Sequence, residues 1–192
     1  MKKLEEIAEV YVGQIMTRVS SKDGEGKDVR VVVPGAVEQG YLVEGSLGTN
    51  NVIKEIDVRY ITKAGDIVMK LTSDYDAAVI DTGQEGIVIS SFISVIRSKE
   101  VDYRYLCAVL NSEHIKAVLR AKAEGAIRPM LKVSDIRGLD IPLLSKEDQE
   151  DIGKAYELSK KKELLLMELI DNEKAIMKAV VDNSIMEEAD HV

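Results

Sequence analysis

Ser145 to Val181 reads as one helix of about 36 residues, because apolar side chains recur there at three- and four-residue steps. No proline interrupts the pattern, and its only glycine, Gly153, falls in the second turn. Ser145 suits an N-cap, with Asp148 three positions on and an acidic first turn (Glu147, Asp148, Glu150, Asp151) that complements the positive end of the helix dipole. At 1.5 Å per residue the helix would be about 54 Å long. A compact domain made from the residues before it is narrower, so much of the helix is expected to project and to need a partner.

The partner surface starts at Ile152. Steps of three and four pass through Ala155/Tyr156, Ser159, Lys162/Glu163, Leu166, Leu169/Ile170, Glu173, Ile176/Met177 and Val180, a heptad-like seam that is strong from Leu164 to Val181 and polar at Ser159, Lys162, Glu163 and Glu173. An amphipathic helix lying across its own domain is one reading. The length favours another, an antiparallel pair or small bundle made with a second chain. Its interface would hold Ile152, Tyr156, Leu165, Leu166, Leu169, Ile170, Ile176, Met177 and Val180. The polar interruptions argue against a long parallel zipper.

Ahead of the helix, short apolar runs alternate with polar loops. Leu4–Val10 suits a short helix or strand, Ser20 to Lys27 a loop, and Val29–Val33 a strand ended by Pro34-Gly35. Gly45 to Asn51 reads as a second loop. Val58–Thr62, Asp66–Leu71, Ala77–Asp81 and Gly86–Arg97 read as strands, the last long and apolar. Tyr103 to Ala123 is the one convincing helix, with Gly125 as its left-handed terminator. Many strands and few helices predict an α+β domain around a twisted mixed sheet. The expected division is a domain over 1–144, a long helix over 145–183 and a frayed acidic tail over 184–192.

A composition of 45% hydrophobic and 31% charged residues is enough for one domain with a real core plus an extension. The single cysteine, Cys107, lies on an apolar helix face with Leu106, Val109 and Leu110 and is expected to be buried and inert. The opening residues are charged and no apolar run approaches bilayer length, which predicts a cytoplasmic protein. The net charge is −8. It is unevenly spread: residues 97–137 hold 9 basic and 5 acidic side chains, whereas residues 138–192 hold 7 and 14. Over half of the deficit therefore sits on the helix and tail.

Little in the chain suggests chemistry. His114 and His191 read as solvated, and no CxxC or HExxH supplies metal-ligand spacing. Gly45 and Gly48 lack the third glycine and following helix of a phosphate loop. No Asn-Pro-Pro-aromatic or Asp-Pro-Pro-aromatic tetrad, the adenine methyltransferase signature, is present. Asp74, Asp76 and Asp81 could imitate nuclease ligands, but no Glu-x-Lys follows at suitable spacing. The expectation is a non-catalytic chain without metal or cofactor.

The run GAIRPMLKVSDIRGLDIPLLSKEDQEDIG followed by a long helix resembles the end of a target-recognition domain and the spacer helix of type I restriction–modification specificity subunits. LEEIAEVYVGQ near the start is similar to that family's domain opening, KAGDIVMKL (Lys63–Leu71) to its Gly-Asp-Ile strand, and VDYRYLCAVLNSEHIKAVL (Val101–Leu119) to its Tyr-Leu and Leu-Asn-Ser helix. The matches are spread over roughly residues 1 to 183. The departure is length, since a typical member carries two recognition domains and two spacer helices. The resemblance implies a half-length subunit that does no chemistry, pairs with itself, and docks methyltransferase subunits on a split double-stranded DNA target. A translocating restriction subunit would be a further partner.

Base-edge readers are Asn, Gln, Ser, Thr, Arg and Lys, with cations and backbone amides fixing register on phosphates. Thr49, Asn50 and Asn51 are the best base-reading candidates, with turn chemistry as the equal alternative. Ser21, Lys22 and Lys27 offer a second loop. Lys70, Thr72 and Ser73 leave a strand where an edge could meet a groove, and Arg128 and Lys132 flank Pro129 as phosphate contacts. The rival to DNA recognition is an acidic protein–protein adaptor of the same fold.

Overall fold

The computed structural model describes residues 1–21, 24–123 and 130–189. In chain order the elements are β1 (Lys2–Lys3), α1 (Leu4–Ile7), β2 (Ala8–Val12), β3 (Lys27–Val32), β4 (Gly48–Val52), β5 (Ile67–Lys70) and β6 (Ala77–Val79). Then follow β7 (Val88–Ile89), β8 (Ile93–Ser98), α2 (Tyr103–Leu110), α3 (Glu113–Ala123), α4 (Val133–Arg137), β9 (Asp140–Ile141) and α5 (Lys146–Ala189). The class is α+β, as the strand-rich pattern predicts.

A four-stranded antiparallel sheet, ordered β2-β8-β5-β6, forms the centre. Its strands are apolar on both faces, and the two-residue alternation of strands deals those side chains to two cores. Ile67, Met69 and Ile96 face a cluster with Leu4, Leu106, Leu110, Leu119 and Ile136 from the helices. Val68, Ile93 and Val95 face the other way, onto Val32, Ile80, Ile87 and Ile89. That second layer includes the three-stranded sheet β4-β3-β7, in which β3 pairs antiparallel with β4 and parallel with β7. Cys107 is fully buried, as expected.

Four local expectations are corrected. Gly45–Asn51 is not all loop: Gly48–Val52 forms the edge strand β4, whose polar residues keep one face in solvent and so leave no apolar run to read. Val58–Tyr60 is a 3-10 turn rather than a strand, because the Asp57 carboxylate accepts from the Arg59 backbone N–H (2.9 Å) and closes the chain locally. Gly86–Arg97 is broken between Ile89 and Ile93 into β7 and β8, which belong to different sheets. Tyr103–Ala123 is two helices, parted at Asn111 and Ser112, and the Asn111 side chain at the break binds strand β6. Its Oδ1 accepts from Ala77 N (3.0 Å) and its Nδ2 donates to Ala77 O (2.7 Å). Gly125, the expected terminator, lies outside the described residues.

The start of α5 follows its sequence signature. Asp148 N–H donates to Ser145 Oγ (3.1 Å), and the same hydroxyl donates to the Asp148 carboxylate (2.6 Å). The chain divides into two compact units, Met1–Glu157 and Leu158–Val192, so the boundary falls inside α5 rather than before it. The helix continues to Ala189, six residues past the expected end at 183.

Within the first unit, the first three turns of α5 are seated on α2. Asp102 caps α2 by accepting from Arg104 N (2.9 Å) and Tyr105 N (3.1 Å). Its own N–H donates to Gln149 Oε1 (3.2 Å) on α5. Gly153 packs so closely that a β-carbon there would lie 2.7 Å from Asp102 Oδ1 and 2.9 Å from Tyr105 N. One turn on, Tyr156 Oη accepts from Asn111 Nδ2 (2.9 Å), and Arg104 pairs with Glu157 (3.6 Å). Tyr156 therefore packs against the core of its own chain, a correction to its expected place in a seam between chains. In the second unit, Leu165, Leu166, Leu169, Ile170, Ile176, Met177 and Val180 are all exposed.

Candidate nucleic-acid interface

The expected reading residues fall in two places in the first unit. The first is the β3–β4 hairpin. Antiparallel register sets Asp28 opposite Asn51 and Arg30 opposite Thr49 on one face, and Val31 and Val52 point to the buried side. Thr49 and Arg30 are exposed on that face, and Lys27 is exposed at the end of the hairpin, opposite Val52. The loop before β3 is bound to this hairpin: Ser21 N–H donates to Asn51 O (2.8 Å), and Ser20 Oγ donates to Asn50 Oδ1 (2.5 Å). Asn50 keeps its amide hydrogens off that bond.

Asn51 departs from the expected role. Its Oδ1 accepts from Gly26 N (2.7 Å), and its Nδ2 donates to Gly26 O (3.1 Å) and Asp28 Oδ1 (2.8 Å). Both ends of the amide are used to fasten the loop, which is the turn-chemistry alternative. Arg30 is the residue that sequence reading left out. It stands beside Thr49 with its side chain 53% exposed, 3.5 Å from Glu44. The period-two alternation of Val29, Val31 and Arg30 was the signal for it, once β4 is known to pair there.

The second place is the turn after β5. Thr72 bridges Met130, and Ser73 is exposed in the left-handed region (φ 52°), followed by the buried Tyr75 at φ 55°. Two non-glycine residues in that region store strain that the buried Tyr75 ring helps to hold. Lys132 is exposed, and its backbone N–H donates to Asp135 (2.9 Å) at the start of α4. Lys22 and Arg128 lie outside the described residues.

Lys70 is corrected from surface contact to interior ion. Its ammonium meets Asp76 Oδ2 at 3.0 Å, and Lys116 from α3 meets Asp76 Oδ1 at 2.5 Å, all three groups being buried. Burial pushes the Asp76 carboxyl up, but bonds from the two lysines outweigh it and hold the group below the ordinary carboxylate value. Asp76 is thereby occupied in structure, away from the nuclease-like role considered for it. Much of the basic 97–137 segment is also paired inside the fold: Arg97 with Asp66 (3.0 Å), Arg104 with Asp102 (2.6 Å) and Arg137 with Val10 O (2.7 Å). Its charge is thus less available to phosphate than its composition implies.

Among the described residues, no cluster of His, Cys, Asp and Glu could hold a metal ion. Nor is any helix there long and apolar enough to cross a membrane. What the two places offer chemically is hydrogen-bond donors, acceptors and a few cations on exposed turns and a strand edge.

No protein-family model matches the sequence, and no curated protein matches it. Solved structures do. The HsdS subunit from Thermoanaerobacter tengcongensis is similar at 20% identity with a TM-score of 0.64, over 88% of this chain and 43% of that one. A chain from a study of complex assembly and conformational transition of the type I R-M system is similar at 17% identity with a TM-score of 0.62, over 86% and 43%. The type I restriction–modification S subunit from M. genitalium gives 17% identity and a TM-score of 0.58, over 88% and 41%. The chain spans less than half the length of each of these structures. Its α+β unit and long C-terminal helix have the fold of the type I restriction–modification specificity subunits.

Proposed function

We propose that this chain is a DNA-recognition subunit of a type I restriction–modification system. In this reading it performs no chemistry. The first unit reads one half of a split duplex target, α5 pairs antiparallel with α5 of a second copy, and adenine methyltransferase subunits dock on the pair. Those subunits supply S-adenosylmethionine and the active site for N6 methylation, and a translocating restriction subunit is a further candidate partner. Target choice belongs to the hairpin and turn loops, and the gap between half-sites belongs to the helix. Twofold pairing of one reading unit calls for an interrupted palindrome.

The observation that carries this reading is the apolar row left in solvent on a helix of 44 residues, following a unit with the specificity-subunit fold. Leu165 is 65% exposed and Met177 64%. A run of large apolar side chains at those exposures is an association surface rather than ordinary surface scatter.

The net charge of −8 favours the second reading, an acidic adaptor that joins proteins through α5 and does not touch DNA by itself. Salt separates the two. If the chain grips phosphates through exposed cations such as Lys27, Arg30 and Lys132, duplex affinity falls linearly on a log–log plot against salt, by nearly one unit of slope per phosphate neutralised. Absence of duplex binding in low salt, with or without a co-expressed methyltransferase, selects the adaptor.

A further inference from the structure

We propose that Phe92 is an apolar wedge for duplex DNA, entering between two base pairs at the end of the central sheet, with Arg18 and Lys132 on the phosphates to either side. The proposal rests on the recognition function above and names how one part of that surface engages its target.

Phe92 is the chain's one phenylalanine, and there is no tryptophan. A packed core is the ordinary place for such a ring, yet this one is 51% exposed. It sits on the turn between β7 and β8, where Ile93 N–H donates to Ser90 O (3.0 Å). Three neighbours hold that turn. Leu71 N–H at the end of β5 donates to Phe92 O (3.0 Å), and Ser90 N–H donates to Val32 O (3.2 Å). Gly13 lies so close that a β-carbon there would collide with the Ile89 and Ser90 carbonyls. A large apolar side chain on so fixed a backbone is preorganised for insertion, because little freedom is left to lose on binding.

The same contacts set its neighbours in a row. On one side Gln14 bridges Ser90 and leads to Ile15, which is 40% exposed. On the other, Leu71 leads to Thr72, which bridges Met130, 43% exposed, and Leu131 N–H donates to Leu71 O (2.8 Å). Adjacent strands lie about 4.8 Å apart, so the row from Gln14 through Phe92 and Leu71 to Met130 spans about 14 Å. At its ends stand two exposed cations, Arg18 three residues past Ile15 and Lys132 two past Met130.

The make-up of this row favours a duplex over a protein. A protein-docking patch is broad and continuous in its apolar surface. Here the apolar side chains come singly, interleaved with Gln14, Ser91, Thr72 and Ser73, which offer donors and acceptors to base edges. Phe, Ile and Met are side chains that DNA-kinking proteins press between base steps, unstacking them. Cations about a groove's breadth apart suit the phosphates on either side of such a step. The exposed carboxylate of Asp74, near Thr72, reduces that positive charge without reversing it.

The test uses the full-length chain and a duplex that the wild type has enriched from a random library, labelled at both ends for energy transfer. Insertion kinks the duplex and brings its ends together, so the wild type should raise the transfer. Phe92→Ala is expected to bind at least tenfold more weakly and to leave the ends apart, with the slope of affinity against salt unchanged because the phosphate contacts remain. Arg18→Ala should lower that slope by about one and keep the kink. Phe92→Leu, a smaller wedge, should give intermediate transfer, and it carries the test if Phe92→Ala fails to fold. Val58→Ala removes an exposed apolar side chain elsewhere in the first unit and should match the wild type. Wild-type binding without a rise in transfer overturns the proposal and leaves the recognition function standing. So does full kinking by Phe92→Ala, or by Phe92→Leu where it alone folds. A Phe92→Ala chain that kinks DNA normally but no longer holds a co-expressed methyltransferase overturns it too, and gives the row to a protein. If the wild type binds no duplex in low salt, with or without that methyltransferase, the recognition function fails and the wedge with it.

Discussion

Asp76 stands between two lysines that have no other charge to meet among the described residues, and its loss should be felt more than any surface change. Asp76→Ala leaves two buried ammoniums uncompensated and should cost about 3–5 kcal/mol in denaturant unfolding. Lys70→Met removes one cation and leaves a neutral pair, so it should cost far less. The sign of the pH dependence follows from the depressed carboxyl: its contribution is complete above the unfolded value of about 3.9 and disappears as pH falls through the lower folded value. Unfolding midpoints followed by circular dichroism should hold through the neutral range and drop below about pH 4. Neither the ion cluster nor the bonding of Asn51 could be read from sequence. Which way a strand residue faces depends on pairing partners, and an Asn-Asn pair in a polar run looks the same whether it reads a base or ties a loop.

Elements were legible in proportion to how many residues repeat their pattern. Helix α5 repeats its period over many turns and carries its cap in Ser145 and Asp148, so both its type and its start were predictable. Strands such as β7, with two residues, leave no period to find. The role of Asn111 at the helix break was hidden because its side chain binds Ala77, 34 positions away in sequence. Asn111→Ala would leave the buried Ala77 N–H and C=O without that partner, at a cost of about 1–3 kcal/mol measured by thermal or chemical unfolding. At α5 itself, replacing Leu166, Leu169 and Ile170 together by Asp places charges in the exposed row. In analytical ultracentrifugation the wild type should sediment as a dimer and the triple variant as a monomer with unaltered near-ultraviolet circular dichroism. A monomeric wild type would mean that this row meets some other partner.

For the molecule as a whole, the acidic balance and the proposed attraction to DNA pull in opposite directions, and distribution resolves them. Residues 138–192, most of which form α5, hold 14 acidic and 7 basic side chains, whereas the exposed cations Lys27, Arg30 and Lys132 lie in the first unit. Fold class was legible from the alternation of short strands with few helices, and the specificity-subunit likeness from the order of weak local matches. The proposed DNA-binding surface was less so, because it is assembled from side chains whose exposure depends on sheet register. The central claim is that two copies of one reading unit are held on DNA at a fixed separation. Sequencing the duplexes that the wild-type chain selects from a random library tests it most directly. The account predicts one short motif present twice in inverted orientation, separated by a constant number of unspecified base pairs. A single uninterrupted motif, or no enrichment at all, would contradict it.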